Sequence, residues 1–147
     1  MAAAVFQGTS ALALDGKGRI TVPVRQRELL QATCEGRLTL TKHPDGFLWV
    51  FPRPRWESFR EQLMALTMDA EPWRRIFLGS AVDVELDSAA RVLVPPELRS
   101  AAALTRELLL IGNGHMLELW DAARHAAHEA QVTAQPMPAE IRAFVLR

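Results

Sequence analysis

The sequence predicts an α+β protein with a mainly β core: a small closed barrel built jointly by two internal repeats, with helices outside. Three observations carry this reading. One ten-residue phrase occurs twice, LDGKGRITVP at 14–23 and LDSAARVLVP at 86–95, both reading Leu-Asp-x-x-x-Arg-hydrophobic-x-Val-Pro. Each copy is followed by a short helical stretch and then by two apolar runs joined by a turn. Each unit spans only about 45 residues, and four strands of that size bury too little surface to stand alone. Two such units in one chain can pack face to face about a pseudo-twofold axis.

The repetition runs beyond the phrase. Asp15, Arg19, Val22, Pro23 and Arg27 match Asp87, Arg91, Val94, Pro95 and Arg99 at a constant spacing of 72 residues. After a three-residue contraction, Leu38-Thr39-Leu40 aligns with Glu107-Leu108-Leu109, and Leu48–Phe51 with Leu117–Trp120.

The elements follow in order. ALALDGKGRITVP alternates as a strand, a turn at Asp15–Gly18 and a returning strand, a hairpin that Pro23 closes by withholding a ladder donor. VRQRELLQAT predicts a short helix resting on Leu29 and Leu30. GRLTLTKHPDGFLWVFP is a hairpin turned at Pro44-Asp45-Gly46. A helix over Pro54–Leu66 places Trp56, Phe59, Leu63 and Leu66 near helical spacing, and EPWRRIFLGSA predicts another that ends at Gly79. The second copy gives VDVELD, a turn, RVLVPP, a helix over Glu97–Ala103, and ELLLIGNGHMLELW turned at Gly112-Asn113-Gly114. Asp121–Ala130 predicts a helix capped by Asp121. The prolines after it predict a mobile 131–138 and a last turn of helix in 139–147. The organisation expected is repeat one at 9–54, a helical connector at 55–80, repeat two at 81–124, and a C-terminal helix and tail at 125–147.

Hydrophobic residues at 49% and charged residues at 23% suit a soluble globular chain. No apolar run approaches the ~18 residues of a membrane span, so no membrane association is expected. MAAAVF lacks a basic secretory n-region. Cys34 is the only cysteine, so no intrachain disulfide forms and a reducing cytoplasm is expected. Net charge is zero, but residues 1–79 hold 11 Lys+Arg against 8 Asp+Glu, and residues 80–147 hold 6 against 9. The densest basic cluster is Lys17, Arg19, Arg25 and Arg27, and a local field attracts an anion even where the sum vanishes.

The first phrase suits an anion chemically. Asp15 can accept backbone N–H groups in an Asx-type closure. Gly16 and Gly18 permit positive φ. Lys17 stands at the tip and Arg19 leaves into the next strand. Small residues let the backbone approach a phosphate, two cations neutralise it, and an arginine can grip a guanine edge. The competing reading is that Asp15 and Arg19 pair only to stabilise the turn. That structural reading is preferred for Asp87 and Arg91, because Ser88-Ala89-Ala90 lacks the lysine and both glycines, and Asp83, Glu85 and Asp87 would repel phosphate. Arg25 and Arg27 open the next helix, where they meet flanking phosphates or pair with Glu28. The match of Arg27 to Arg99 favours a shared structural task. Lys42 and His43 are expected to be solvated.

Other chemistries find little support. His125 and His128 share a helix face, but neither a second cysteine nor a carboxylate cluster joins them, so no metal is expected. Nucleotide loops and nucleophile elbows are absent from the sequence, and neither a cofactor nor a small-molecule substrate is expected. Cys34 is read as a small packed residue. The tryptophans and phenylalanines are read as core or subunit-interface residues.

FQGTSALALDGKGRITVP, LTKHPDGFLWVFPRPRWE, RIFLGSAVDVELDSAARVLVPPELR and LLLIGNGHMLELWD together resemble the MraZ family, over Phe6 to Arg124. Ala90 departs from it, standing where the family often keeps a glycine. The resemblance implies two SpoVT–AbrB-type repeats, a double-split β-barrel per chain and ring-shaped homo-oligomers. It also implies a bacterial, nucleoid-associated regulator that binds direct repeats in the promoter of its own division and cell-wall operon, usually as a repressor. On that reading Lys17, Arg19, Arg25, Arg27, Gly16 and Gly18 meet double-stranded DNA, while Asp15, Asp87 and Arg91 hold the turns. One protomer with so few cations would bind at about 10⁻⁴–10⁻⁶ M. Several protomers on one DNA would add an avidity of about 10²–10⁴. A ring-forming protein scaffold is the alternative. An enzyme using Asp15 or Asp87 as general base ranks last, since it lacks a partner acid and a nucleophile.

Overall fold

Among the described residues, the alternating apolar residues of the two copies form eight strands that interleave rather than stack copy by copy. The computed structural model describes residues 4–145. The first copy forms β1 (Thr9–Ala13), β2 (Arg19–Thr21), α1 (Val24–Cys34), β3 (Arg37–Lys42), β4 (Leu48–Pro52) and α2 (Arg53–Met64). A 3₁₀ turn (Met68–Ala70) and α3 (Glu71–Ser80) lead to the second copy. That copy forms β5 (Val82–Glu85), β6 (Arg91–Leu93), α4 (Pro96–Ala101), β7 (Glu107–Asn113), β8 (Met116–Asp121) and α5 (Ala122–Thr133), and α6 (Ala139–Val145) follows.

Six strands make one antiparallel sheet in the order β1-β7-β8-β4-β3-β5, and β2 and β6 make a two-stranded ribbon. Exchanging every strand for its repeat mate returns the same order read backwards, so the fold carries a pseudo-dyad. The register locates it. Ile20 lies opposite Val92, its own mate, and Trp49 lies opposite Glu118, again its own mate. The result is mixed α/β with a mostly β core, a split-barrel-like fold. Leu30, Val94, Leu117 and Leu119 are wholly buried at its centre, where a void of only about 10 Å³ remains. That is space for about one water, so side chains fill the barrel.

Two sequence expectations change here. The phrase is not a hairpin. The Asp15 amide does donate to the Arg19 carbonyl at 2.9 Å, but β1 pairs with β7 and β2 with β6. The Leu14 amide donates to the Arg106 carbonyl at 2.9 Å, drawing β1 away from β2. The repeat alignment also slips by one residue. Leu38 and Leu40 face inward, as do Leu108 and Leu110, and a period of two forces the match Leu38–Leu108. The slip is absorbed in the turns: Lys42 and Leu48 enclose five residues, Gly112 and Leu117 only four.

Gly112 sits inside β7 rather than in a turn, and Gly114 takes the positive φ. A Cβ on Gly112 would meet the Gln7 nitrogen and the Phe6 carbonyl carbon, so the glycine lets the N-terminal segment cross and bury Phe6. Among the helices, α2 buries Trp56 and Leu63, while Leu66 falls beyond its end and is exposed. Asp121 caps α5, accepting the Arg124 amide at 3.3 Å. That helix runs through Thr133, so 131–133 are helical rather than mobile. Trp49, Phe51, Phe59 and Phe77 pack together with centroids 5.3–5.7 Å apart, while Trp73 is exposed. Among the described residues, no helix is long and apolar enough to cross a membrane.

Candidate nucleic-acid interface

In the β2–β6 ribbon, Ile20 and Val92 point into the barrel, which leaves Arg19, Thr21, Arg91 and Leu93 on the outer face. Arg19 lies opposite Leu93 and Thr21 opposite Arg91. A two-stranded ribbon has the width that the major groove of B-DNA admits.

Each ribbon strand is entered through a turn closed by aspartate. Asp15 Oδ1 accepts the amides of Lys17 at 2.8 Å and Arg19 at 2.9 Å, and Arg19 Nε donates to Oδ2 at 2.9 Å. Asp87 repeats this with the amides of Ala89 at 2.9 Å and Arg91 at 2.8 Å, and with Arg91 Nε at 3.0 Å. The backbone amides of Arg19 and Arg91 are the largest cause holding the two carboxyls below the usual aspartate range. A depressed folded-state pKa stabilises the fold above the unfolded value, near ~3.9, and that contribution is lost as pH falls through the lower folded value. Thermal melts from pH 5 down to pH 2 are therefore expected to show acid destabilisation that is weaker in the double variant Asp15→Asn, Asp87→Asn. An identical pH profile for the two proteins would contradict the turn assignment.

Only one residue per turn needs left-handed backbone: Gly18 at φ 79° and Ala90 at φ 61°. Gly16 does not take positive φ, contrary to the sequence expectation, because the Asp15 carboxylate already closes the turn around it. Ala90 holds the conformation despite its Cβ, so the two turns match. Gly18 is buried beneath Arg99, whose Cζ would lie 2.6 Å from an added Cβ. It accommodates that guanidinium and presents no backbone to solvent.

The cations differ in their engagements. Lys17 is exposed, and among the described residues its ammonium has no hydrogen bond or ion pair. Arg19 is partly shielded, with 27% of its side chain exposed. Arg25 does not pair with Glu28. Its Nη2 donates instead to the Gln7 carbonyl of the crossing N-terminal segment at 2.9 Å. Arg27 is half-buried. Lys42 is exposed, but His43 is not solvated. It stacks on Phe47 at 4.2 Å, and burial pushes its pKa down. Asp83, one of the acids expected to repel phosphate, accepts the Thr39 hydroxyl at 2.7 Å and lies 3.7 Å from Arg53. It thus belongs to the large sheet and not to the ribbon. Thr21 and Leu93 were missed from sequence. The alternation Arg-Ile-Thr and Arg-Val-Leu was the signal that could have found them.

Among the described residues, no three His, Cys, Asp or Glu side chains gather as a metal site. His125 and His128 pack on Trp120 at 5.2 and 5.0 Å, and Glu129 lies 3.7 Å from His125 Nε2. Cys34 is buried and donates to the Leu30 carbonyl at 3.2 Å, and burial pushes its thiol pKa up.

The family model described as "MraZ protein, putative antitoxin-like" matches residues 5–76 and again 77–146. A protein of Cupriavidus pinatubonensis named Transcriptional regulator MraZ is 59% identical over 140 residues, covering 95% of this chain and 99% of the relative. A protein of the same name from Leptothrix cholodnii is 61% identical over 139 residues, covering 95% of each chain. One from Methylibium petroleiphilum is 58% identical over 144 residues, covering 98% and 99%. Matched twice over by one family and similar to these relatives along almost its whole length, the chain belongs to the MraZ family.

Proposed function

We propose that the protein is a sequence-specific DNA-binding regulator of transcription, not an enzyme. It works in the cytoplasm at the nucleoid, where it represses its own division and cell-wall operon by binding direct repeats as a ring-shaped homo-oligomer. The observation that carries this reading is the ribbon: Arg19 and Thr21 beside Arg91 and Leu93 on one outward face. The relatives' shared name, Transcriptional regulator MraZ, supports it. Lys17 and Arg19 supply the principal contacts to DNA. Arg25 and Arg27 flank them, the Gly16–Gly18 segment shapes the tip, and Asp15, Asp87 and Arg91 hold the turns. Several protomers bound to successive boxes raise a weak single contact by avidity.

Footprinting on the DNA upstream of the protein's own operon, paired with light scattering, tests the reading. The expected result is protection over evenly spaced repeats, with affinity falling steeply as salt rises and as boxes are deleted. No specific shift even at low salt would overturn it and favour the protein scaffold, a reading that draws on the exposed Trp73, Met68 and Phe144.

A further inference from the structure

The pseudo-dyad gives each strand and each hairpin helix a mate, and it gives one to α3 as well. α6 stands at the corresponding place, after α5 and a linker (134–138) close in length to the one before α3 (65–70). The two helices behave differently. α3 lies against the outer face of β3 and β4. Thr41 is wholly buried there and donates to the Phe77 carbonyl at 2.7 Å. The Phe77 ring packs on Trp49 at 5.4 Å and on Phe59 at 5.7 Å. Residues 139–144 of α6, by contrast, are all exposed, with Phe144 at 72%.

The face equivalent to the one α3 covers is open. Ile111 and Leu109 stand at the β7 positions matching Thr41 and Thr39, and both are only half-buried. Beside them on β1, Ala11 lies opposite Leu109, and both Ala11 and Ala13 are exposed. The second copy thus has an open face on which Leu109 and Ile111 stand beside Ala11, Thr9 and Glu118, and a helix with Ile141 and Phe144 exposed.

The linker explains why the chain does not bring them together itself. α3 is turned back through the 3₁₀ turn, where the Ala70 amide donates to the Thr67 carbonyl at 3.1 Å. The second linker reads Ala134-Gln135-Pro136-Met137-Pro138. Its prolines have no amide to donate, and Pro138 biases Met137 towards extended backbone. After a turn in which the Ala134 amide donates to the Ala130 carbonyl at 3.2 Å, the Pro-Met-Pro stretch leads into α6, which stays exposed instead of folding home.

We propose that α6 of one copy docks on the β1–β7 face of a second copy, with Phe144 against Ile111 and Leu109, in the position that α3 occupies within the first repeat. The joint unites unlike surfaces, so every copy gives one arm and receives one, a head-to-tail contact that closes into a ring when the rotation permits. The proposal rests on the homo-oligomer reading and names its joint.

Light scattering on Phe144→Asp, on Ile111→Asp and on their equal mixture tests it, with thermal melts confirming that each variant is folded. The wild type is expected to assemble, and each variant alone to run at the chain mass of 16.4 kDa. The mixture is expected at about twice that mass. Phe144→Asp keeps a good face and Ile111→Asp keeps a good arm, so one joint forms and propagation stops. A Phe144→Asp variant that assembles to the wild-type mass would sink this joint and leave the oligomer reading standing. A monomeric wild type would sink both.

Discussion

Lys17→Ala is expected to weaken operator binding strongly while leaving stability within about 0.5 kcal/mol. Among the described residues the exposed Lys17 ammonium makes no hydrogen bond or ion pair, and the amide that Asp15 holds at 2.8 Å survives the substitution. A lost solvent-exposed ion contact costs up to about 1 kcal/mol, a factor of roughly five. Two protomers on one operator compound this to about 25-fold. The salt dependence should flatten by about one logarithmic unit for each phosphate contact removed. Arg19→Ala should act in the same direction and also release Asp15. Arg91→Ala should act chiefly on its own turn, although Arg91 shares the ribbon face with Arg19. Fluorescence anisotropy against salt, beside urea melts, separates these effects. Equal affinity losses from folded Arg19→Ala and Arg91→Ala proteins would replace the one-sided contact with a symmetric one.

Leu119→Ala is expected to cost about 2–5 kcal/mol, the range for truncating a fully buried leucine. Leu119 is wholly buried and lies opposite both Leu48 and Leu110, beside the dyad where β4 and β8 meet. The remaining void of about 10 Å³ shows how little slack surrounds it. The melting temperature should fall by roughly 4–20 °C. Leu93→Ala is the contrast. Leu93 is 54% exposed on the ribbon, so its loss should change stability by less than about 0.5 kcal/mol. A tolerated Leu119→Ala would mean that the barrel centre is not the core.

What could be read from the sequence was local or repeated. The doubled phrase announced the dyad, and its constant spacing paired Val22 with Val94, both of which are buried. The Asx closure of Asp15 and the cap at Asp121 followed from residue type and position. What escaped depends on segments far apart in the chain. Ser10 pairs with Leu110, a partner no local pattern marks. Gly18 answers to Arg99, Gly112 to the crossing of Phe6 and Gln7, and Arg25 to the Gln7 carbonyl. Local alternation marks Thr21 and Leu93 as outward, but that they share one face with Arg19 and Arg91 depends on β2 lying beside β6.

The interleaving of the strands also bears on how the chain leaves the ribosome. β1 and β3 emerge early, yet their partners β7 and β5 belong to the second half. Until residue 113 has been synthesised, the nascent first half holds bare strand edges, the condition that invites aggregation or chaperone capture. A neighbouring nascent chain on the same message offers the same edges, so crowded translation exposes twins to one another before the partner strands within one polypeptide exist.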